Sequence, residues 1–530
     1  MLFNSYLFIF LFLPIVVTVY YLVRNRIGYR WAISWIVLAS FFYYAWWKPI
    51  LLLLLLTSIS VNFAFAKAIL NGDSSKIQQK WLLGLGIAFN LCVLGYFKYA
   101  AFFVQNVDSL FSKHFLIPQI VLPIGISFIT FQKIAFLVDI YRGELCRLSL
   151  QNYMFFVTFF PQLIAGPIVH HQELIPQLEK PQTRVISDDL SVGFSIFCIG
   201  LFKKVIVADT CSLYSDAGYN TLQGGHSLDP ASAAIAVLAF SLQIYYDFSG
   251  YSDMAVGLAR MLGFSLPINF FSPYRSTGFI DFWRRWHITL SRFLRDYLYI
   301  PFGGNRKGLV RQTLNLIVVM VLGGLWHGAN WTFIAWGMIH GTLLGVNHGW
   351  TKLRISSHPW LLSRLSRTAS VLLTFALVTL AWIPFRAQSF GQAWEMVSRL
   401  FAIGAAPGTL QHSYQIFLAA QFGDVHRLLD ITSWIKPKEL WPPILPPDFL
   451  STSRPVGLTL LILTSATFLL PNTYQLFARF DPALGIARFQ STVFGNLRRL
   501  GWGCAFVFSG IFVLSVLHLN HVTPFLYFQF

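Results

Sequence analysis

The chain has 530 residues, 55% of them hydrophobic and 17% aromatic, with only 11% charged. Soluble domains carry about 25% charged residues, so this composition excludes a soluble globular protein and describes a chain with many membrane spans. The net charge of +18, from 39 Lys+Arg against 21 Asp+Glu, would suggest nucleic acid in a soluble protein. In a polytopic one it reads as basic cytoplasmic loops, with an anionic-ligand site as the sharper alternative.

The first apolar run, Leu7–Val23, has no basic stretch before it and no small-residue cleavage site after it, so it is expected to stay as a span. Arg24, Arg26 and Arg30 follow at once, which puts that end in the cytoplasm and the N-terminus outside. Trp31–Trp47 and Ile50–Ala66 are the next spans, separated by Pro49, and Lys67, Lys76 and Lys80 bracket a second cytoplasmic loop. Trp81–Phe97 returns outward, and Ile117–Tyr141 goes back in to end at Arg142 and Arg147. Tyr153–Val169 is apolar but broken by Pro161, Gly166 and Pro167. It reads as a re-entrant or kinked segment, tolerated at membrane depth only where protein or water lines it.

Gly193–Ala208 and Ala231–Tyr246 are further spans, the second running into Asp247 and Asp253. A cap at the helix boundary is the plain reading of these aspartates, and partners for arginine the alternative. Residues 275–311 are too polar to span and are expected to lie as amphipathic helices at the membrane interface, aromatic side inward. Thr313–Gly324 and Trp331–Val346 flank a glycine-rich break at Gly323–Gly328, and Ser370–Phe385 follows. Residues 403–454 are a proline-rich connection, and Val456–Leu470 and Gly501–His518 close the chain. The expected fold is all-α and polytopic, with about 11–13 membrane segments, re-entrant and interfacial helices included, around a central tunnel. It is one membrane domain: N-terminal spans over 1–150, a catalytic core over 151–390, and the connection with C-terminal spans over 391–530. The five cysteines (Cys92, Cys146, Cys198, Cys211 and Cys504) have no paired spacing, so neither a disulfide framework nor a metal site is expected.

Two histidines beside tryptophan stand out. His327 lies in Trp326–His327–Gly328–Ala329–Asn330–Trp331, just after Gly323 and Gly324. A neutral imidazole walled by Trp326 and Trp331 can take a proton from a hydroxyl, and Asn330 can donate to an acyl carbonyl. A core histidine bonded to a carbonyl is the plain alternative. On a continuous helix Trp283, His287 and Ser291 would share one face, so that His287 could orient a base. The alternative there is an interfacial histidine in an aromatic belt. His340, His348, His170 and His171 are set aside as structural or interfacial. Between 275 and 311, eight basic residues (Arg275, Arg284, Arg285, Arg292, Arg295, Arg306, Lys307 and Arg311) face only Asp281 and Asp296, a local net charge of +6. The spacing suits i,i+4 bridges for Asp281–Arg285 and Arg292–Asp296. Beyond these, the stretch is either an orientation signal or a landing surface for phosphates.

Several long strings resemble the membrane-bound O-acyltransferase family, in particular its bacterial branch that O-acetylates exported polysaccharides such as alginate. They are FWRRWHITLSRFLRDYLYIPFGGNR from Phe282, LGGLWHGANW from Leu322, FPQLIAGPI from Phe160, GLFKKVIVAD from Gly200, YYDFSGYSDMAVGLARMLGF from Tyr245 and LPINFFSPY from Leu266. The opening MLFNSYLFIFLFLPIVV is similar too, and the resemblance covers roughly residues 1–390. One departure is Val169–His170–His171, where the family pattern leads one to expect an arginine.

The resemblance implies that His327 is the catalytic base and that His287 assists it, with Trp283, Arg285, Trp326, Asn330 and Trp331 about the substrate. It implies acetyl transfer from cytoplasmic acetyl-CoA to a hydroxyl of an exported polysaccharide, or of a periplasmic partner protein that finishes the transfer. Arg306, Lys307 and Arg311 would then meet the coenzyme A phosphates. The protein would sit as a multi-pass protein in a bacterial inner membrane, among lipid, with no bound cofactor, no metal and no nucleic acid. The rival expectation is a transporter or export-complex subunit without catalysis. It leaves two tryptophan-flanked histidines, and the want of an inverted repeat, unexplained.

Overall fold

The computed structural model describes residues 1–70, 75–111, 120–145, 147–180, 186–353, 364–401, 453–486, 489, 501–519 and 525–526. Among them there is no strand, only an isolated bridge between Pro267 and Leu484. The helices are α1 (Phe8–Arg26), α2 (Tyr29–Ala45), α3 (Ile50–Leu70), α4 (Lys76–Phe111), α5 (Ile126–Tyr141), α6 (Leu150–Thr158), α7 (Phe160–Leu163), α8 (His171–Glu179) and α9 (Ile186–Gln223). Then come α10 (Pro230–Met261), α11 (Phe279–Arg285), α12 (Ile288–Leu294), α13 (Gly308–His327), α14 (Trp331–Lys352), α15 (Arg364–Arg386), α16 (Phe390–Phe401), α17 (Ser453–Leu469) and α18 (Trp502–Leu517). Seven of these, α1, α3, α4, α9, α10, α13 and α15, are long and apolar enough to cross a membrane.

The apolar windows Trp81–Phe97, Gly193–Ala208 and Ala231–Tyr246 lie within helices that run further. Helix α4 starts in a capping box, Ser75 accepting from the Gln78 N–H while Gln78 reaches back, which satisfies two otherwise orphan donors. Helix α10 starts at Asp229, whose carboxylate accepts from the N–H groups of Ala231 and Ser232, with Pro230 at the first position. It runs for 32 residues, about 48 Å against a hydrocarbon core of about 30 Å. It therefore passes straight through Asp247 and Asp253, which are not boundary caps. They pair with lysines instead: Lys204 lies 2.8 Å from Asp247 and 2.6 Å from Asp209, and Lys203 lies 2.7 Å from Asp253. Buried carboxylates at this depth need such partners.

Helices cross closely where side chains are absent. A Cβ on Gly337 would come within 2.3 Å of the Met320 carbonyl oxygen, and one on Gly324 within 2.1 Å of that of Phe333. This glycine seam clamps α13 against α14, as small residues do between membrane helices, and fixes where the end of α13 sits.

Two stretches differ from expectation. Within the span expected over Ile117–Tyr141, the described residues 120–125 are non-helical and the helix starts at Ile126. In residues 275–311 the aromatic side faces inward as expected, but Trp283, His287 and Ser291 do not share one continuous helix. The stretch breaks at Trp286–His287, and Phe282, Trp286, Leu290 and Phe293 turn into the protein core. The kinked segment is two short helices split at Phe159, with Pro161 near the start of the second, and both are buried. The proline-rich connection, apart from Ser453 and Arg454, and Cys146 lie outside the described residues.

Candidate active site

His327 is the last residue of α13, and Gly328 leaves the helix in an extended conformation. The histidine is 4% exposed. Its ring meets Trp336 edge-on at 5.2 Å and Phe385 at 5.2 Å, with Trp326 at 4.9 Å. The His287 ring lies 6.5 Å from it, centroid to centroid, so two residues 40 apart in sequence share one site.

His287 does not sit mid-helix. It caps α12 with φ +42°, a left-handed conformation that costs a non-glycine residue about 1–2 kcal/mol. Such strain persists where the surroundings hold it, commonly at functional sites. The break turns the ring away from the α11 face and into a fully buried nest against Phe248 at 4.6 Å and Trp326 at 6.1 Å. Its Nδ1 lies 3.1 Å from Asn269 Oδ1, which also accepts from the Thr289 N–H and hydroxyl. A backbone N–H can only donate, so that asparagine atom is the oxygen, and the His287 proton must sit on Nδ1 in the neutral ring. Nε2 is then the basic nitrogen.

A cavity of about 210 Å³ runs from Trp47, at the end of α2, to His327, lined also by Ser127, Ala165, Trp326 and Lys98. The non-helical residues Leu122–Gly125 line it as well, which is where irregular backbone is tolerated inside a membrane protein. Lys98 escaped the reading of the sequence, where it looked like the edge of an apolar span. Its Nζ donates to the carbonyls of Trp326 at 2.6 Å and His327 at 3.0 Å, and to Ser127 Oγ at 3.4 Å. Tyr99 OH donates to the Leu325 carbonyl at 2.8 Å. The last carbonyls of a helix have no partners within it, and a cation there also complements the helix dipole. Lys98 and Tyr99 thus clamp the end of the helix that presents His327.

A family model described as membrane-bound O-acyltransferase matches residues 9–382. The chain belongs to the membrane-bound O-acyltransferase family. It is 39% identical over 433 residues to the peptidoglycan O-acetyltransferase of Helicobacter pylori, covering 76% of this chain and 80% of that one. It is 40% identical over 410 residues to the probable alginate O-acetylase of Pseudomonas aeruginosa, covering 76% and 75%. The teichoic acid D-alanyltransferase of Bacillus subtilis is more distant, 26% identical over 277 residues, covering 50% and 69%. The protein is a multi-pass membrane acyltransferase.

In this acyltransferase the other expected site residues divide. Trp326 walls both histidines, and Trp283 packs on Trp336 and His340. Trp331 points elsewhere: it is 51% exposed and donates to Asn106 Oδ1, and Trp336 takes the place expected for it beside His327. Asn330 caps α14, accepting from the Thr332 N–H and donating to the Gln388 carbonyl, so both ends of its amide are engaged away from the histidines. Arg285 pairs with Asp281 at 2.8 Å and lies over the Phe489 ring. Arg292 reaches Glu173 in a fork at 2.6 and 2.8 Å rather than Asp296, which Arg295 takes instead. An arginine therefore stands at the Val169–His171 corner after all, brought there by α12. There His170 meets Tyr297 OH at 3.2 Å and His171 meets Asp139 at 3.0 Å. Burial and the nearby Arg292 hold the His170 imidazole below its ordinary pKa. Asp139, Glu144 and His171 bring three potential ligand atoms within 4.8 Å of one another. Arg284, Arg306, Lys307 and Arg311 are exposed and pair with no described acid.

Proposed function

We propose that the protein transfers an acetyl group from cytoplasmic acetyl-CoA to a hydroxyl of an exported polysaccharide in a bacterial inner membrane. The observation that carries this is His327 at the inner end of the Trp47 cavity, within 6.5 Å of His287. The relatives named for acetylating alginate and peptidoglycan, both near 40% identity, favour acetyl over D-alanyl and a glycan acceptor. In this reading His327 takes the proton of the acceptor hydroxyl, whose oxygen attacks the thioester carbonyl. The carbon–sulfur bond breaks, and the imidazolium returns the proton to the departing thiolate, leaving ester and free thiol. His287, its proton held on Nδ1 by Asn269, offers Nε2 to orient the base or the hydroxyl. Lys98 positions the His327 backbone. Protein reconstituted in vesicles with labelled acetyl-CoA and O-deacetylated glycan should yield labelled ester. Release of coenzyme A without glycan labelling would point to another acceptor, and no turnover of acetyl-CoA would sink the reading.

Arg284, Arg306, Lys307 and Arg311, free of described acids, suit the phosphates of the donor. Reversing Arg306, Lys307 and Arg311 to glutamate should raise KM for acetyl-CoA about tenfold at low ionic strength, less at high salt. Unchanged kinetics at low salt would leave them as orientation signals.

The mechanism also needs Arg24, Arg26 and Arg30 on the donor side. A cysteine at Ile27, which is exposed between α1 and α2, should resist a membrane-impermeant thiol reagent in intact cells and react after lysis. Labelling in intact cells would invert the topology.

A further inference from the structure

Lysines that sit among the helices of this chain have partners that offset their charge, with one exception. Lys203 lies 2.7 Å from Asp253, and Lys204 reaches both Asp209 and Asp247. Lys98 donates to two carbonyls at a helix end. Lys133, in the middle of α5, is 1% exposed. Its Nζ donates to Ser58 Oγ of α3 at 2.7 Å, and it meets no other acceptor and no carboxylate among the described residues. The acid on its own helix, Asp139, is taken by Tyr297 and His171.

A buried ammonium without a counter-charge is costly, because one hydroxyl replaces little of the water it has left. Ionisable groups inside membrane proteins accordingly face a partner or a polar cavity. Lys133 lines a cavity of about 30 Å³ between α2, α3, α4 and the start of α5. Tyr44, Ser58 and Thr130 add hydroxyl-bearing side chains to the lining, and no acid lines it. The Ser58 oxygen already accepts from Lys133, and the Tyr44 and Thr130 hydroxyls meet no partner among the described residues, so each of the three has a proton to give. Asn90, the remaining polar residue of the lining, has its amide engaged by Asn62 and the Gly86 carbonyl. One water needs about 10–15 Å³ of such space, so the cavity takes a particle somewhat larger than water and excludes a sugar or a phosphate group. A water would answer the donors and leave the charge, whereas a small anion answers both.

We propose that Lys133, with Ser58, Thr130 and Tyr44, binds one monovalent anion of chloride size inside the helix bundle. The site shares Pro123 and Ile126 with the cavity that reaches His327, so the anion braces one wall of that cavity from behind. The assignment depends on neither the acyl donor nor the acceptor.

The test uses the full-length protein purified with chloride as the only anion, or with gluconate, which is too large for the cavity, at one ionic strength. The thermal midpoint of the wild type should be about 3 °C or more higher in chloride and should rise with its concentration, as for any ligand of the folded state alone. Bromide should substitute for chloride. Radiolabelled chloride should bind saturably to the wild type, at one ion per chain. Lys133→Met, which keeps the apolar stem and removes the charge, should abolish that binding and bring the midpoints in the two salts within about 1 °C of each other. A salt effect that moves wild type and variant alike overturns the site, as does saturable chloride binding that survives in the folded variant. If the methionine variant does not fold, Ser58→Ala, which removes the one protein partner of the ammonium, decides: chloride affinity lowered about tenfold supports the site, and affinity within about twofold of wild type overturns it. Wild-type protein with no saturable chloride binding and equal midpoints in both salts overturns the proposal and leaves Lys133 as an uncharged amine beside water.

Discussion

His327→Ala is expected to lower kcat for acetyl transfer by about two to four orders of magnitude, the range for loss of a general base, while the protein still inserts and folds. The ring packs against Trp326, Trp336 and Phe385, and those walls stay in place when it is removed. Turnover of labelled acetyl-CoA by purified variant and wild type, alongside their thermal midpoints, measures this. A variant retaining near wild-type kcat would remove His327 from the chemistry. A variant inactive because it fails to fold would show as a collapsed midpoint rather than a low kcat.

Lys98→Met should lower kcat about ten- to a hundredfold, with KM for the glycan little changed. Methionine keeps the apolar stem but leaves the carbonyls of Trp326 and His327 without their donor. Each orphaned buried carbonyl costs about 1–3 kcal/mol, which the helix end relieves by shifting. Because His327 is the last residue of α13, that shift moves the base itself, and displacements of about 1 Å at a reacting centre cost on the order of a hundredfold. Tyr99→Phe, which frees only the carbonyl of Leu325, two residues before His327, should show the same effect more weakly. A Lys98→Met enzyme with normal kcat and a lowered thermal midpoint would make the lysine a stabiliser of the helix end without influence on catalysis.

The membrane-spanning, all-α character was legible in the sequence because hydrophobic length is a local quantity. An apolar run of about 20 residues reports a span without reference to anything else in the chain. The kink at Phe159 and Pro161 was legible for the same reason, since proline acts on its own helix. His327 was legible as a candidate from the tryptophans beside it in the sequence and from the resemblance of that string to the acyltransferases.

Everything that depends on pairing was left to the tertiary structure. The left-handed residue at His287 ends the helix on which the shared face of Trp283, His287 and Ser291 was expected, and that break brings the imidazole to His327. Asn330 and Trp331 have the right chemistry for the site, but their hydrogen bonds go to Gln388 and Asn106, choices made by neighbouring helices. Lys98 reaches carbonyls 228 and 229 positions away, and the rings packed on His340 come from α11, α14 and α15. Burying a stretch in lipid needs only its own composition, whereas satisfying a buried polar atom needs a partner at about 3 Å. The sequence by itself therefore determined which segments are apolar enough to enter a membrane, and the packing of helices distant in the chain determined which polar groups meet between them.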